Sequence, residues 1–385
     1  MDRRRRGSTG IPVRLNITII LGPFQPLPPR GIGAVEKVWY QLAPEFQRAG
    51  NNVSLIAKGD SIDTRSVAGI QIVPLKGYEA SGHLWFDLLT DFLWALKVRH
   101  HVGPADVIVT NSFWTPVVLG FSKKRARVIV HVARFPKRQM WLYARADVLQ
   151  AISSAVAAEI SRQTPAAAAK VRVVPYPVAV EKYARNNAPS PSHPTILYVG
   201  RVHPEKGLDL LLNAFRIVSD TVAGVRLKIV GPVDVRSGGG GSGYVQQLMS
   251  LARGLPVDFE QPIADEASLA QTLGTAQCFC YPSLAERGEA FGLAVLEAMA
   301  ASLPVVVSDL KCFRDFVSDG DEGLIFDHRG PRAEVRLAEA LVRILTNPEL
   351  ASSMARKSAE RAQRYAMSAV AQQYLDMFAS VCGAS

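Results

Sequence analysis

The sequence predicts an α/β protein of two domains, each a parallel sheet with helices on both faces. Three observations carry this. Short apolar runs alternate with longer amphipathic segments, as expected for buried strands between covering helices. The alternation stops at 186–194, which holds three prolines among small polar residues, and then restarts. Finally, 385 residues are too many for one ordinary core and suit two.

In the first half the strand candidates are 15–21, 53–57, 70–74, 107–110, 128–132, 148–151 and 171–174, with helices over 34–49, 85–101 and 154–163. In the second half strands are expected at 195–199, 225–230, 257–259, 278–281, 305–308 and 323–326. Helices fall at 207–221, 243–253, 268–276 and 292–301, with a short one near 313–317, and the tail from Arg332 is helical. The domains are placed at 1–190 and 191–365, with 366–385 a C-terminal helix expected to pack back on the N-terminal domain. Two Rossmann-like domains facing across a cleft is the expected assembly, with ligands beyond the carboxyl ends of the strands. The glycine run within 237–243 reads as a surface connector, a ligand-covering loop being the alternative.

A composition of 48% hydrophobic and 20% charged residues is that of a globular chain, not a disordered one. The charge is uneven. Residues 1–190 hold 26 Lys and Arg against 12 Asp and Glu, a net of +14, while the remainder is −4. That excess fits a solvated basic face or an anionic membrane surface. Nucleic acid is ranked last and not expected as a partner, because no recognition motif is present. Cys278, Cys280, Cys312 and Cys382 lack metal-type spacing and read as buried reduced thiols. No apolar run approaches the roughly 20 residues of a membrane span, and 17–21 is too short for a signal-peptide core. The expected location is therefore cytoplasmic, with peripheral attachment to the inner face of the membrane as the variant that the basic half leaves open.

Two motifs carry chemistry. The first is Gly200-Arg201-Val202-His203-Pro204-Glu205-Lys206-Gly207, which follows a strand and precedes a helix. Its two cations stand on one strand-end loop, where they can neutralise a diphosphate, bidentately for Arg and as a point charge for Lys. The second runs from Glu289 to Glu297 and includes Phe291 and Gly292 at a loop-to-helix junction. A helix start there exposes unpaired N–H groups to a phosphate or sugar hydroxyl, and Gly292 permits close backbone approach. At about 1.5 Å of rise per residue the two carboxylates are on the order of 12 Å apart. That exceeds the about 5–10 Å of a glycosidase pair and suits two ends of one long ligand. Taken singly, each motif could be solvated charge at a loop or helix end.

Taken together and in order, the motifs resemble those of the retaining GT-B glycosyltransferases of family 4 (glycosyl transferases group 1). The matching residues are Gly200 to Gly207, Pro282-Ser283, Glu289 to Glu297, Glu297-Ala298-Met299-Ala300 and Pro304-Val305-Val306. The resemblance implies that Arg201 and Lys206 hold the donor diphosphate and that Glu297 takes the ribose hydroxyls. It implies that Glu289, with the backbone of Ala290, Phe291, Gly292 and Leu293, holds the transferred sugar. Gly31 and Gly33 resemble the family's glycine loop after the first strand, and His131 its acceptor-side histidine. Three departures stand out: Ala34 and Ser302 where the family has Gly, and Pro175-Tyr176-Pro177 for Pro-Asn-Gly.

The resemblance thus implies retaining transfer of a hexosyl unit from a UDP- or GDP-sugar to a hydroxyl of a glycan or lipid-linked acceptor. The nucleotide sugar is a substrate; no cofactor is expected, and two cations doing a metal's work predict metal independence. A dinucleotide-dependent oxidoreductase is weaker, because Glu36 takes the third-glycine position after Gly31 and Gly33. A non-catalytic nucleotide-sugar-binding protein is the other alternative. One stretch is ambiguous: Trp85, Phe86, Leu88, Leu89, Phe92 and Trp94, ending in Lys97 and Arg99, is read first as a core helix with a spare aromatic face and second as a surface that dips into the membrane to meet a lipid-linked acceptor.

Overall fold

The computed structural model describes residues 14–29, 34–59, 69–120, 126–183 and 193–383. It contains two parallel sheets. The first consists of β1 (Asn16–Ile20), β2 (Asn52–Lys58), β3 (Gln71–Leu75), β4 (Val107–Thr110), β5 (Arg127–Val132), β6 (Val148–Ala151) and β7 (Val171–Val173), in the order β3-β2-β1-β4-β5-β6-β7. The second consists of β8 (Thr195–Val199), β9 (Arg226–Val230), β10 (Val257–Glu260), β11 (Cys278–Tyr281), β12 (Val305–Ser308) and β13 (Gly323–Phe326), in the order β10-β9-β8-β11-β12-β13. In both, the chain winds outward one way from the first strand and then crosses to its other side. The switch points lie between β1 and β4 and between β8 and β11.

Two compact units divide the chain: 1–131 with 145–148 and 375–385, and 132–144 with 149–374. In the first unit the helix Ala34–Arg48 turns Val38, Trp39, Leu42, Ala43 and Phe46 inward, the spacing of one helical face. Phe378 of the helix Met367–Cys382 meets Phe46 at 5.7 Å between ring centroids. In the second unit β11 and β12 are buried along their length, and the helix Leu208–Thr221 buries Leu208, Leu211, Leu212, Phe215 and Val218. All four cysteines are free thiols; Cys278, Cys280 and Cys312 are buried, whereas Cys382 is only partly so. Burial pushes the Cys278 thiol up to about 12, so it stays protonated.

Several element edges differ from the sequence reading for local reasons. The helix Glu266–Gly274 starts two residues earlier than expected because Asp265 caps it, its carboxylate accepting from Ser268 N at 2.7 Å. The short helices Thr115–Gly120 and Val180–Tyr183 are new; neither is long enough to show a helical period. The glycine run is a connector tied to its surroundings: Gly240 N donates to Val202 O at 2.8 Å and Gly241 N to Val233 O at 2.9 Å.

The helix Leu84–His101 packs one side into the core and leaves an aromatic face spare. It buries Thr90, Asp91, Trp94, Ala95 and Val98, with the Trp94 indole donating to Leu21 O at 3.0 Å. Trp85, Phe86, Leu89 and Phe92 face outward instead. The reason is geometric. The stretch carries apolar residues on both sides, and a helix lying on the surface of a core can bury only one side of itself.

Candidate functional site

The site is assembled in the second unit at the β8/β11 switch point. Gly200 ends β8 and pairs with β9 through its N–H to Val230 O at 3.0 Å. Gly231 ends β9 with φ of +154°, and a Cβ there would lie 1.8 Å from Gly200 O. Only glycine lets the two strand ends close up. The loop from Gly200 then makes a 3-10 turn, Pro204–Lys206, and Gly207 at φ +68° turns it into the next helix. A Cβ at Gly207 would sit 2.2 Å from Pro282 O, so the end of β11 presses directly on this loop. Leu284 N donates to Glu205 O at 2.8 Å and fixes the two strand-end loops to each other.

That register buries Lys206, which is 5% exposed. Its ammonium donates to Glu289 Oε2 at 2.6 Å, stands 3.9 Å from Glu205 Oε1 and lies 5.4 Å from the centroid of the Tyr281 ring. Tyr281 stacks on Tyr198 at 5.5 Å, which floors the pair with aromatic carbon. Burial first, and then the Glu289 charge, hold both phenols well above their ordinary values, so both stay neutral donors. Arg201, partly exposed, donates to Glu205 Oε1 at 2.5 Å and to Gly238 O at 2.9 Å. One loop thus carries both cations of the motif, Lys206 against Glu289 and Arg201 against Glu205.

The second motif folds around Phe291. This ring is buried against Tyr176 at 5.7 Å and Phe316 at 5.4 Å, which gives the unusual Pro175-Tyr176-Pro177 a packing role. Gly292, at φ +93°, caps the helix Leu293–Ala300; a Cβ there would meet Phe313 Cε1 at 2.5 Å. Ala290 and Leu293 flank this cap and are partly buried. Val295 N donates back to Gly292 O at 3.0 Å, and the start of the helix carries the positive end of its dipole. Glu297, in its second turn, accepts from Tyr183 Oη at 3.1 Å. Burial, then the charge of Glu297, raises the Tyr183 phenol far above its ordinary value, which keeps the proton on the donor. Ser302, where the family has Gly, adopts φ +58°, a left-handed conformation that explains the glycine.

His131 ends β5 in the first unit and is 2% exposed, its ring edge-on to Trp39 at 5.1 Å. Gly31 and Gly33 lie outside the described residues. One feature escaped the sequence reading: the chain contains an Asp-x-Asp, Asp319-Gly320-Asp321. Its carboxylates are spent locally, Asp319 accepting from Ile325 N at 2.8 Å and Asp321 pairing with Lys357 at 2.5 Å. Among the described residues no group of three or more His, Cys, Asp or Glu side chains is arranged to hold a metal ion. Tyr183, Glu205 and the Gly238 carbonyl are also additions to the site, each reached through folding and not through spacing.

Two cations, a buried carboxylate and a helix start thus lie at the switch point, where open α/β sheets place their ligands. Two parallel, doubly wound sheets of this strand order are those of the GT-B fold class. Comparison supports the same class: the sucrose-phosphate synthase of Thermosynechococcus elongatus superposes with a TM-score of 0.79 at 22% identity, over 97% of this chain and 100% of that one. The Anabaena protein HepE, solved in complex with UDP and glucose, superposes with a TM-score of 0.73 at 16% identity, over 95% and 100%. Residues 33–182 match the family model described as Glycosyltransferase Family 4, and 180–361 the one described as Glycosyl transferases group 1. The chain belongs to this family of glycosyltransferases.

Among curated proteins, the phosphatidyl-myo-inositol mannosyltransferase of Mycobacterium leprae (strain TN) is 36% identical over 49% of this chain and 46% of its own length. The D-inositol 3-phosphate glycosyltransferase of Streptomyces avermitilis is 29% identical over 62% of this chain and 53% of its own. The chain spans about half the length of these relatives.

Proposed function

We propose that the chain transfers a hexosyl unit from a UDP- or GDP-sugar to a hydroxyl of a glycan or lipid-linked acceptor, with retention at the anomeric carbon. The observation that carries this is the buried Lys206 ammonium at the switch point, on one loop with Arg201 and against Glu289. In this reading Arg201 and Lys206 take the donor diphosphate, and Glu297, steadied by Tyr183, takes the ribose. Glu289 and the backbone from Ala290 to Leu293 take the transferred sugar. The bond from the anomeric carbon to the diphosphate oxygen breaks and its electron pair leaves with the diphosphate. The acceptor oxygen bonds to that carbon on the same face, and its proton passes to the departing phosphate oxygen. The two cations and the helix beginning at Leu293 stabilise the charge as it develops.

No resident metal is required in this scheme. The HepE complex favours UDP as the donor nucleotide, and the two curated relatives, named for inositol compounds, favour an inositol-bearing acceptor. A thermal-shift panel of UDP-, GDP- and ADP-sugars tests the donor: one uridine or guanosine sugar should raise the midpoint well above the rest. A response confined to ADP-sugars, or to none, overturns the assignment. Turnover should persist in excess EDTA; loss restored by Mn²⁺ or Mg²⁺ would refute the metal-free scheme.

A further inference from the structure

We infer that the outward face of the helix Leu84–His101 is an interfacial docking surface for a lipid bilayer with anionic headgroups. The face is made of Trp85, Phe86, Leu89, Phe92, Leu93 and Leu96, which are between 38% and 83% exposed. At 3.6 residues per turn these six fall on one side of the helix, opposite the buried Thr90, Asp91, Trp94 and Val98. Monomer surfaces rarely carry a continuous apolar strip of this kind without a use. Trp114 extends it, its ring meeting Phe92 at 5.9 Å.

Charge selects the occupant. Both acidic residues of the helix are turned off this face and engaged. The Asp91 carboxylate takes Ser112 Oγ at 2.9 Å and Trp114 N at 2.8 Å, and Asp87 takes Ser81 N at 2.8 Å and Ser81 Oγ at 2.7 Å. The last turn carries Arg99, His100 and His101, and Lys97 Nζ reaches Lys76 O at 2.7 Å, which places a further lysine alongside. An exposed indole at one end, hydrocarbon along three turns and cations at the other end match a helix lying in a headgroup layer. The cations then meet lipid phosphates while the rings sit among acyl chains. The surplus of 26 basic over 12 acidic residues in 1–190 gives the surrounding domain the same sign.

The test is flotation of the full chain with vesicles of phosphatidylcholine alone and of phosphatidylcholine mixed with phosphatidylglycerol. The chain should float with the mixed vesicles and much less with the uncharged ones. The double variant Trp85→Ser/Leu89→Ser should reduce flotation by about tenfold or more. Arg99→Glu should weaken binding to the mixed vesicles alone. Because these side chains are exposed, both variants should keep the wild-type melting midpoint and full transfer to a water-soluble acceptor. A defect in the donor site therefore cannot mimic the result. Equal flotation of wild type and double variant, or equal binding to both vesicle types, overturns the inference. So does the absence of flotation together with a dimer that the double variant dissociates, which would assign the face to a second copy of this chain.

Discussion

Lys206 and Trp85 both defy the usual partition of residues, in opposite directions. The second unit holds a primary ammonium at 5% exposure, and the first holds an indole at 83%. Burying the ammonium carries a desolvation cost, offset by Glu289 at 2.6 Å and by the faces of Tyr281 and Tyr198. Exposing the indole forfeits the stabilisation its burial would bring, and nothing inside the unit offsets that loss. Packing for stability alone would produce neither arrangement. The difference is instructive: an inverted polar group must be repaid within the fold, whereas an inverted apolar group can be repaid by the surroundings.

The comparison can be broken most forcefully at Lys206. Lys206→Ala should lower transfer by roughly 10²-fold or more. It should also cost about 3–5 kcal/mol in urea unfolding, since Glu289 is left buried and unpaired. Lys206→Met/Glu289→Gln should recover most of that stability and none of the transfer; recovery of both would make the pair purely structural. A second contrast lies within one helix. Trp94→Ala should destabilise by about 3–5 kcal/mol, while Trp85→Ala should stay within about 0.5 kcal/mol of wild type. Similar losses at both positions would mean that the outward face is packed after all. Next, Glu297→Ala should weaken calorimetric nucleotide binding by about tenfold or more with the melting midpoint kept. Unchanged affinity discards its ribose role. The smallest effect is expected at Ser302→Gly, which releases a left-handed φ and should add about 0.5 kcal/mol to unfolding free energy. A loss there would mean that the serine side chain contributes more than its backbone strain costs.

Much of this could be read in advance where a residue's role is local. The apolar runs 107–110, 148–151, 195–199, 278–281, 305–308 and 323–326 are strands over those same residues, because each is bounded abruptly by polar or turn-forming neighbours. Arg201, Lys206 and Glu289 could be anticipated from motif order, and their convergence follows from β8 and β11 being neighbours. What stayed hidden depended on distant chain. Tyr183 reaches Glu297 across 114 positions from a four-residue helix, too short to leave a periodic signal. The helix Leu84–His101 is apolar on both sides, so its pattern alone cannot say which side is covered. The family's glycine at the position of Ser302 is known only by resemblance, and the backbone angle gives its reason.

The hydrogen bond from Arg201 to Gly238 constrains the glycine run. The guanidinium of Arg201 is aimed by the carbonyl of Gly238, an acceptor that belongs to the main chain. Gly238 and Gly241 both hold φ of +79°, and a Cβ at Gly239 would lie 2.3 Å from the Val233 carbonyl, so the segment has little room for side chains. Adding or removing one residue there would swing the carbonyl away and turn the arginine with it. In this part of the molecule a point change at Gly238 or Gly239 and a change of length would disturb the arginine alike.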